Sequence, residues 1–420
     1  MQGVKMSNPV IIYAGLRRTN GERFEVLAAA KRLGLSVVLI ARAVPEMAKQ
    51  HVAEWHVCDT SNYAEALKVV EEVASRHKVV GAVSWTDLDL GFVARINETL
   101  SLPGMSLETV QTVRNKYRAR QAVSAITGLC PKFCQVSTLD DLKHAMEVVG
   151  YPAVIKPTGG NGSKGIFILQ DRSDLDDVID KLTTLIATSK DPIFDGHKNE
   201  FIVEQFIDGN EVSIEVLVYQ GKVEVVGITD KQTTEPFHFE SQHIFPATVS
   251  QNATLDVQSK VVQMVKILGC NNCTLHIEGK IKDDKFSLIE INGRPGGDYI
   301  TTHLIPRSTG IDHVVNILKV AMGQLPDLST PKSMSYAGIR FLFTDRKGQY
   351  QGLEGYDDVV LETPGLDHVL TELPVGSQVA LPPESFTTQR VASVMAHGPS
   401  SEYVAETLLT ATQSLKIRIE

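Results

Sequence analysis

The first hundred residues alternate between short apolar runs and helical stretches, and this alternation constrains the fold more than any other feature of the sequence. Val10–Ala14, Val37–Ile40 and Val79–Ser84 are apolar runs, and Glu22–Leu33 between the first two has helical spacing. Repeated β–α units with continuously apolar strands are typical of a parallel sheet that helices cover on both faces. We therefore expect a Rossmann-like α/β domain over residues 1–105.

The first β–α turn argues against a dinucleotide-binding enzyme. Gly15 is followed by Leu-Arg-Arg-Thr-Asn before the next glycine, Gly21. The dinucleotide fingerprint needs a second, closely spaced glycine so that the pyrophosphate can approach the backbone. A nicotinamide-dependent dehydrogenase is therefore disfavoured.

Composition limits the partners and the compartment. The chain has 420 residues and a net charge of -9, with 41 Lys and Arg against 50 Asp and Glu, and a chain of this length is expected to hold about two to four structural units. An acidic balance disfavours nonspecific binding to nucleic acid or anionic membranes. Five cysteines, an odd and sparse number, argue against a disulfide framework and for a reducing, cytoplasmic location. A zinc site formed by the two close pairs Cys130/Cys134 and Cys270/Cys273, with His276 three residues further on, is the alternative to small buried thiols, which we favour.

A glycine-rich loop follows a buried strand in the central part of the chain. Lys156 lies near the end of the strand Tyr151–Pro157, and residues 159–165 read Gly-Gly-Asn-Gly-Ser-Lys-Gly. Such a loop exposes backbone N–H groups and can fold over phosphate oxygens. It is not a P-loop, because the Gly-Lys-Ser/Thr order opening a helix is missing. A plain hairpin loop, leading to a strand over Gly165–Leu169, is the alternative.

Two predicted strands, Thr274–Lys280 and Phe286–Asn292, carry polar residues on one face. Residues two apart in a strand share a face, so Glu290 and Asn292 point the same way, and a hairpin would bring Glu278 and Glu290 together. Two carboxylates and an amide oxygen suit Mg²⁺ held against a nucleotide polyphosphate.

The turn after the second strand supports this interpretation. Ile289 and Ile291 are expected to face the core, and residues 292–298 read Asn-Gly-Arg-Pro-Gly-Gly-Asp. Arg294 would then lie just beyond the metal, where its guanidinium can bind a phosphoryl group or a carboxylate. Two acids on a strand are also common on a solvated surface, but a surface strand has no need of such a turn.

A third block, in the predicted strand Phe201–Phe206, carries Glu204 and leads through a polar turn to Glu211. Alone it would be an edge strand with solvated charges. In series with the other two blocks it looks like an adenine slot, with backbone groups and Glu204 at the base edge and Glu211 at the ribose hydroxyls.

Taken together in chain order, these motifs resemble those of the ATP-grasp superfamily. The resemblance covers about residues 107–326 and rests on Lys116, Lys156 with its glycine loop, Glu204–Glu211, Glu278, and Glu290-x-Asn292-x-Arg294. The resemblance implies an α/β ATP-grasp fold with a Rossmann-like N-terminal (pre-ATP-grasp) domain over 1–105, a central ATP-grasp region over 106–325 and a small C-terminal α+β domain over 326–420. Within the central region we expect a helical linker over 106–150, a small lid subdomain over 151–210 and a large subdomain over 211–325. The chain is expected to close with a helix near Ser401–Ser414.

The resemblance also implies ligands for individual residues. Two Mg²⁺ ions, with Mn²⁺ as an alternative, would be held by Glu278, Glu290 and Asn292. The residues expected to bind ATP are Lys116, Lys156, Gly160, Ser163, Gly165, Glu204, Gln205, Phe206, Ile207 and Glu211.

Residues 228–231, 239–247 and 292–298 look like those of carboxylate–amine ligases, a group that includes bacterial L-amino acid ligases. This similarity implies that ATP converts an acid, expected to be an amino acid, into an acyl phosphate. An amine then attacks to form an amide or dipeptide, with release of ADP and phosphate. Arg294 would be catalytic, and Glu240, His243, Arg294, Gly296 and Gly297 would contact the substrates.

Two other classes of function stay open at the level of sequence. One is a different ATP-grasp ligase, similar to biotin carboxylase or to a purine-pathway ligase. The other is an ATP-binding regulatory protein without turnover, although the presence of both acids, Asn292 and Arg294 disfavours it. We expect small-molecule partners, no nucleic acid and no membrane, and the sequence leaves open whether the chain forms a homodimer.

Overall fold

The amino-terminal segment folds as the parallel α/β unit that its apolar runs predict. Its strands pair in the order β3-β2-β1-β4, all parallel. Ile11 and Tyr13 pack into one apolar cluster and Ile12 and Ala14 into another, because successive residues of a strand point to opposite faces. The elements are β1 (Val10–Ala14), α1 (Asn20–Arg32), β2 (Ser36–Ala41), α2 (Glu46–Lys49), β3 (Glu54–Val57), α3 (Tyr63–Arg76), β4 (Val79–Ser84) and α4 (Leu90–Leu100).

The next segment builds a small antiparallel sheet in the order β5-β8-β6-β7. Its strands enclose an apolar core of their own with α7 and α8. The elements are α5 (Leu107–Arg114), α6 (Lys116–Val123), β5 (Phe133–Val136), α7 (Leu139–Val149), β6 (Ala153–Pro157), β7 (Phe167–Leu169), α8 (Leu175–Thr188) and β8 (Phe201–Gln205).

Two expectations for this segment need correction. Residues 106–150 are not wholly a helical linker, because Val136 of β5 and Leu142 and Met146 of α7 are apolar and lie in the core of the small sheet. The strand expected from Gly165 begins only at Phe167. Gly165 has a φ of 75°, which an extended strand does not allow.

The central part of the chain forms most of a large, eight-stranded antiparallel sheet in the order β13-β12-β9-β10-β11-β14-β18-β16. Helices α5, α6 and α9 cover one face of its first strands. Residues Ile300–Leu304 make a π-helical turn that continues into α10. The elements are β9 (Asn210–Tyr219), β10 (Lys222–Thr233), β11 (Glu240–Phe245), α9 (Gln251–Leu268), β12 (Cys273–Lys282), β13 (Lys285–Asn292), α10 (Ile305–Thr309) and α11 (His313–Ala321).

The carboxyl-terminal segment is less separate than expected. β14 pairs with β11, so β14, β18 and β16 continue the large sheet, while β15, β17 and β19 form a three-stranded sheet. The chain closes with β19 after α13. The elements are β14 (Tyr336–Phe343), β15 (Gly348–Glu354), α12 (Tyr356–Glu362), β16 (Leu366–Thr371), β17 (Gln378–Val379), β18 (Arg390–Gly398), α13 (Ser401–Ser414) and β19 (Lys416–Ile419).

Helix α11 joins the amino-terminal sheet to the large sheet. Its residues Val314, Ile317 and Leu318 share one apolar cluster with Val26 of α1 and Leu217 of β9. The two sheets are therefore held together by a common core.

These elements come from a computed structural model that describes residues 8–160, 165–188, 199–234, 239–329, 335–382, 384–385 and 387–420. Over those ranges no helix is both long and apolar enough to cross a lipid bilayer.

Phe286 tests the core of the large sheet, in which it is fully buried. Replacing it by alanine should lower the free energy of unfolding by about 3–5 kcal/mol, because the change removes buried apolar surface and leaves a cavity. Urea denaturation measures the loss. As a control, Leu255→Ala on α9, where the side chain is 55% exposed, should change it by less than about 1 kcal/mol; comparable losses in the two variants would contradict this core.

Candidate active site

A cavity of about 600 Å³ receives side chains from each of the three larger sheets and the loops that follow their strands. Arg17 and Asp87 come from loops that follow β1 and β4, Lys156 and Gln205 come from the small sheet, and Glu278 comes from the large sheet. Charged groups that are far apart in the sequence thus face one shared cavity.

The predicted acidic hairpin is present. β12 and β13 pair antiparallel with Glu278 directly opposite Glu290, and both side chains line the cavity. Asn292, opposite His276, is buried, and its Nδ2 has no hydrogen-bond partner among the described residues. The two carboxylates on this wall fit a hard divalent cation such as Mg²⁺, whereas Asn292 is not among the residues that line the cavity.

The same hairpin contains a β-bulge that the alternation did not predict. Glu278 pairs with Glu290 but Gly279 pairs with Leu288, so Ile289 is the extra residue. The expectation that Ile289 faces the core is therefore wrong: Leu288 lies in the core instead, and Ile289 lines the cavity. A bulge frees backbone groups from the strand ladder, and the Ile289 carbonyl accepts a hydrogen bond from the guanidinium of Arg120 at 2.7 Å.

Lys231, on β10, gathers three acids for which separate roles were predicted. Its Nζ lies 2.7 Å from Oε2 of Glu278, 2.6 Å from Oε1 of Glu240 and 3.2 Å from Oε1 of Glu211. The Lys231 side chain is 3% exposed, so water screens these attractions poorly. The expected metal, substrate and ribose ligands thus share one buried ammonium group.

The pKa values reflect this sharing. Burial alone would lower the pKa of Lys231, but Glu240, Glu278 and Glu211 together raise it well above its usual value. Burial raises the pKa of Glu278, but Lys231 and His276 together lower it well below its usual range. At neutral pH Lys231 and Glu278 are therefore both ionised.

The glycine loop starts close to the acidic hairpin. Lys116 donates a hydrogen bond to the Gly160 carbonyl and lies 3.3 Å from Glu290. Lys156 lines the cavity nearby. Gly160 and Gly165 of the loop are described, whereas Ser163, which was expected to bind ATP, lies outside the described residues.

Glu204 does not have the environment expected of an adenine contact. Its side chain is buried between two cations, with Oε1 2.6 Å from Arg120 Nε and Oε2 2.6 Å from Lys156 Nζ. Burial raises the pKa of Glu204, but the attraction of Arg120 and Lys156 outweighs this effect, and the pKa is below its usual value. A carboxylate held by two buried cations has little freedom to bind a base edge, so the expected contact of this side chain needs correction.

The three residues after Glu204 do line the cavity. Gln205, Phe206 and Ile207 all contribute to its wall, and the Nζ of Lys280 lies 4.9 Å from the centre of the Phe206 ring. This edge of the small sheet therefore presents three consecutive residues to a ligand, although the backbone N–H groups of Gln205 and Phe206 already donate to the carbonyls of Lys132 and Pro152.

Arg294 is held from the amino-terminal domain. Its Nε donates to Oδ2 of Asp87 at 2.9 Å, and its NH1 donates to the Pro295 carbonyl at 3.1 Å. Burial alone would lower the pKa of Arg294, but Asp87 raises it above its usual value. The guanidinium is thus a fixed positive charge on the cavity wall, next to the acidic hairpin.

The two glycines after Pro295 differ in accessibility. Gly297 lines the cavity. The Gly296 amide donates to Oε2 of buried Glu215 at 3.0 Å, so it is not free to donate to a substrate, as the expected substrate contact would require. Only the Gly297 part of that expectation is compatible with this geometry.

His243 lies between two acids, Glu240 and Asp298, that also line the cavity. Its Nε2 is 3.4 Å from Glu240 and 3.7 Å from Asp298. Burial lowers the pKa of His243, but Asp298 and Glu240 raise it more, to above its usual value. The ligand atoms of Glu240, His243 and Asp298 lie within 4.8 Å of one another, close enough to hold a metal ion. Lys231 and Arg390 already pair with these two acids, at 2.6 and 2.9 Å, as Lys231 and Lys116 do with Glu278 and Glu290 at the hairpin, at 2.7 and 3.3 Å.

Comparison with protein families identifies this arrangement. The family profile described as an ATP-grasp domain matches residues 149–303, and the ATP-grasp N-terminal domain profile matches residues 25–104. The chain is an ATP-grasp protein. The ATP-grasp profile spans the glycine loop, Glu204, the acidic hairpin and Arg294.

Several ATP-grasp relatives are ligases by name. The chain is 25% identical to the alanine–anticapsin ligase of Bacillus subtilis (strain 168), over 83% of this chain and 80% of that protein. It is 26% identical to a D-alanine–D-alanine ligase of Flavobacterium johnsoniae, over 54% of this chain and 70% of that protein. The crystal structure of an L-amino acid ligase from Bacillus licheniformis has the same fold, with a TM-score of 0.85 and 23% identity over 99% of this chain and 100% of that one.

Sequence reasoning missed several charged residues that line this cavity or lie directly behind its wall. Lys231 belongs to residues 228–231, which resemble the corresponding segment of carboxylate–amine ligases, so the sequence could have marked it as a site residue. No local pattern marks Arg120 or Asp87, because their partners, Glu204 and Arg294, are 84 and 207 residues away. Arg17, Glu215 and Arg390 were missed for the same reason.

Lys231→Met tests the shared ammonium. At about pH 8 the variant should lose about 3 kcal/mol or more of unfolding free energy, because three close carboxylates lose their counter-charge. At about pH 5 the loss should be smaller, since in the variant burial and mutual repulsion without the lysine would favour protonation of the three carboxylates, and protonation removes the repulsion. Urea unfolding at both pH values measures this. Lys222→Met, at an exposed pair with Glu224, is the control, and an equal loss at both pH values for Lys231→Met would contradict the assignment.

Proposed function

We propose that the protein is an ATP-dependent carboxylate–amine ligase that forms an amide or dipeptide bond from an amino acid, by way of an acyl phosphate. One observation carries this proposal: a single cavity is lined by Glu278 and Glu290, by Arg294, and by the Glu240–His243–Asp298 cluster. A site with metal-type oxygen donors, a fixed guanidinium and a second cluster of charged side chains can hold a polyphosphate and an amino acid together.

ATP would lie between the small sheet and the acidic hairpin. The backbone of Gln205, Phe206 and Ile207 would hold the adenine, and Glu211 the ribose hydroxyls. Lys116, Lys156 and the glycine loop would hold the phosphates, with backbone N–H groups as donors. Lys156 would then exchange part of its contact with Glu204 for a phosphate oxygen.

Glu278, Glu290 and Asn292 would hold two Mg²⁺ ions, or Mn²⁺ in their place. When bound, such ions neutralise the charge of the phosphates and orient them for in-line attack. The donor chemistry supports this assignment, because two carboxylates lie opposite each other on the hairpin and a buried side-chain amide follows on the same strand.

Arg294 would bind the phosphoryl group during its transfer from ATP to the acid. Its positive charge is already fixed by Asp87 at 2.9 Å, so little reorganisation is needed as negative charge develops. The amine would then attack the acyl carbon, and Arg294 with the Gly297 amide would stabilise the oxyanion. Closure of the small sheet would keep water from the acyl phosphate.

The proton of the attacking amine would pass to the charged cluster formed by Glu240, His243 and Asp298. The lowered pKa of Asp298 makes that carboxylate a weaker base than a free aspartate, whereas the pKa of His243 is raised. Efficient general bases have pKa values near the working pH, and these three residues are the candidates to test as acceptors.

ADP release tests the proposed reaction. Purified protein with ATP and Mg²⁺ should release ADP only when an amino acid acceptor is present, and mass spectrometry should find an amide product when an amine is added. A panel of paired amino acids finds the substrates. ADP release that is independent of every amino acid in the panel would count against the ligase.

Arg294→Ala tests the proposed catalytic residue. Nucleotide affinity should change by less than about threefold, while amide formation should fall by at least about 10³-fold, because the charge acts in the transition state. Arg307→Ala removes an exposed arginine paired with Asp367 and should keep normal turnover. Near-normal turnover in Arg294→Ala would remove the role assigned to this residue.

A further inference from the structure

A buried carboxylate that the proposed mechanism does not use lies directly behind the arginine loop, residues 293–298. Glu215, on β9, has an exposed fraction of 0%. Burying a carboxylate is strongly unfavourable unless it is paired and hydrogen-bonded. The partners of Glu215 therefore indicate what holds it there.

The two oxygens of Glu215 bind two different parts of the site. Oε1 accepts a hydrogen bond from Nδ1 of His276, and Nε2 of the same ring lies 3.2 Å from Oε1 of Glu278. Oε2 accepts a hydrogen bond from the backbone N–H of Gly296 at 3.0 Å. Glu215 thus connects the acidic hairpin to the arginine loop.

The arginine loop is held tightly against this carboxylate. The Gly296 carbonyl accepts hydrogen bonds from Arg17 at 2.6 Å and from Thr301 at 2.8 Å. A Cβ atom at position 296 would lie 2.2 Å from Oε1 of Glu215 and 2.8 Å from Nδ1 of His276. There is no room for a side chain, so the loop can approach Glu215 only with glycine at this position.

We infer that Glu215 is a positioning residue, which fixes the arginine loop through Gly296 and orients Glu278 through His276. The inference rests on the proposed function, because the roles of Arg294 and Glu278 belong to it. One buried anion then sets the separation between the guanidinium and the metal-binding carboxylate. Small misplacements of reacting groups are costly, about 10²-fold for about 1 Å. Loss of Glu215 should therefore reduce turnover far more than nucleotide binding.

Glu215→Gln is the first test, because it keeps the size of the side chain but removes its charge and one acceptor oxygen. We expect kcat for amide formation to fall by at least about 10-fold, while the Kd for ADP, measured without divalent cation, changes by less than about threefold. The control Glu224→Gln alters a partly exposed carboxylate on the same sheet that pairs with Lys222. It should leave both values unchanged.

Gly296→Ala is the second test, because it keeps the carboxylate but displaces the loop. It should show the same loss of kcat with ADP binding retained. The double variant Glu215→Gln/Gly296→Ala should be no slower than the slower single variant, since residues that act through one contact are not additive. This pattern distinguishes a positioning role from a general loss of stability.

Three results would overturn the inference: a kcat for Glu215→Gln within about twofold of the wild type, unchanged kcat in Gly296→Ala, or losses that multiply in the double variant. If Glu215→Gln does not fold, Gly296→Ala alone decides. Absence of amino-acid-dependent ADP release from the wild-type chain would instead remove the proposed function, so the two failures are distinguishable.

Discussion

The charged cavity depends on one buried ammonium group. Lys231 lies within 3.2 Å of Glu211, Glu240 and Glu278, and without it three carboxylates would repel one another in a poorly screened space. Because the same cation contacts acids from β9, β11 and β12, it also fixes how these strands present their side chains. The proposed nucleotide, substrate and metal regions are therefore parts of one electrostatic unit and not independent sites.

A second buried network attaches the small sheet to this unit. Arg120 is fully buried and donates to Glu204 on β8 and to the backbone carbonyls of Leu288 and Ile289 on β13. The bulge at Ile289 makes one of these carbonyls available. Since an unpaired buried charge is costly, the relative positions of α6, β8 and β13 are strongly constrained. The edge of the small sheet that faces the cavity is thereby anchored at its base, close to where a nucleotide would bind.

Local pattern predicted much of this structure. Apolar periodicity was enough for the parallel amino-terminal sheet, and period-two alternation placed Glu278 opposite Glu290. The same alternation failed at Ile289, because a bulge depends on the register of two strands and leaves no local mark. The roles expected for the Glu204 side chain and the Gly296 amide were undone by Arg120 and Glu215. These partners are 84 and 81 residues away, and only the folded chain reveals such pairings.

The core shared by α11, α1 and Leu217 has a consequence for recombination between relatives. A chimera that exchanged residues 8–104 alone would join an α1 from one protein to an α11 from another, and would mismatch the apolar contacts of Val26, Val314 and Ile317. It would also separate Asp87 from the arginine that it holds. The exchangeable unit is therefore discontinuous in sequence: the amino-terminal sheet must travel with α11 and with the arginine loop.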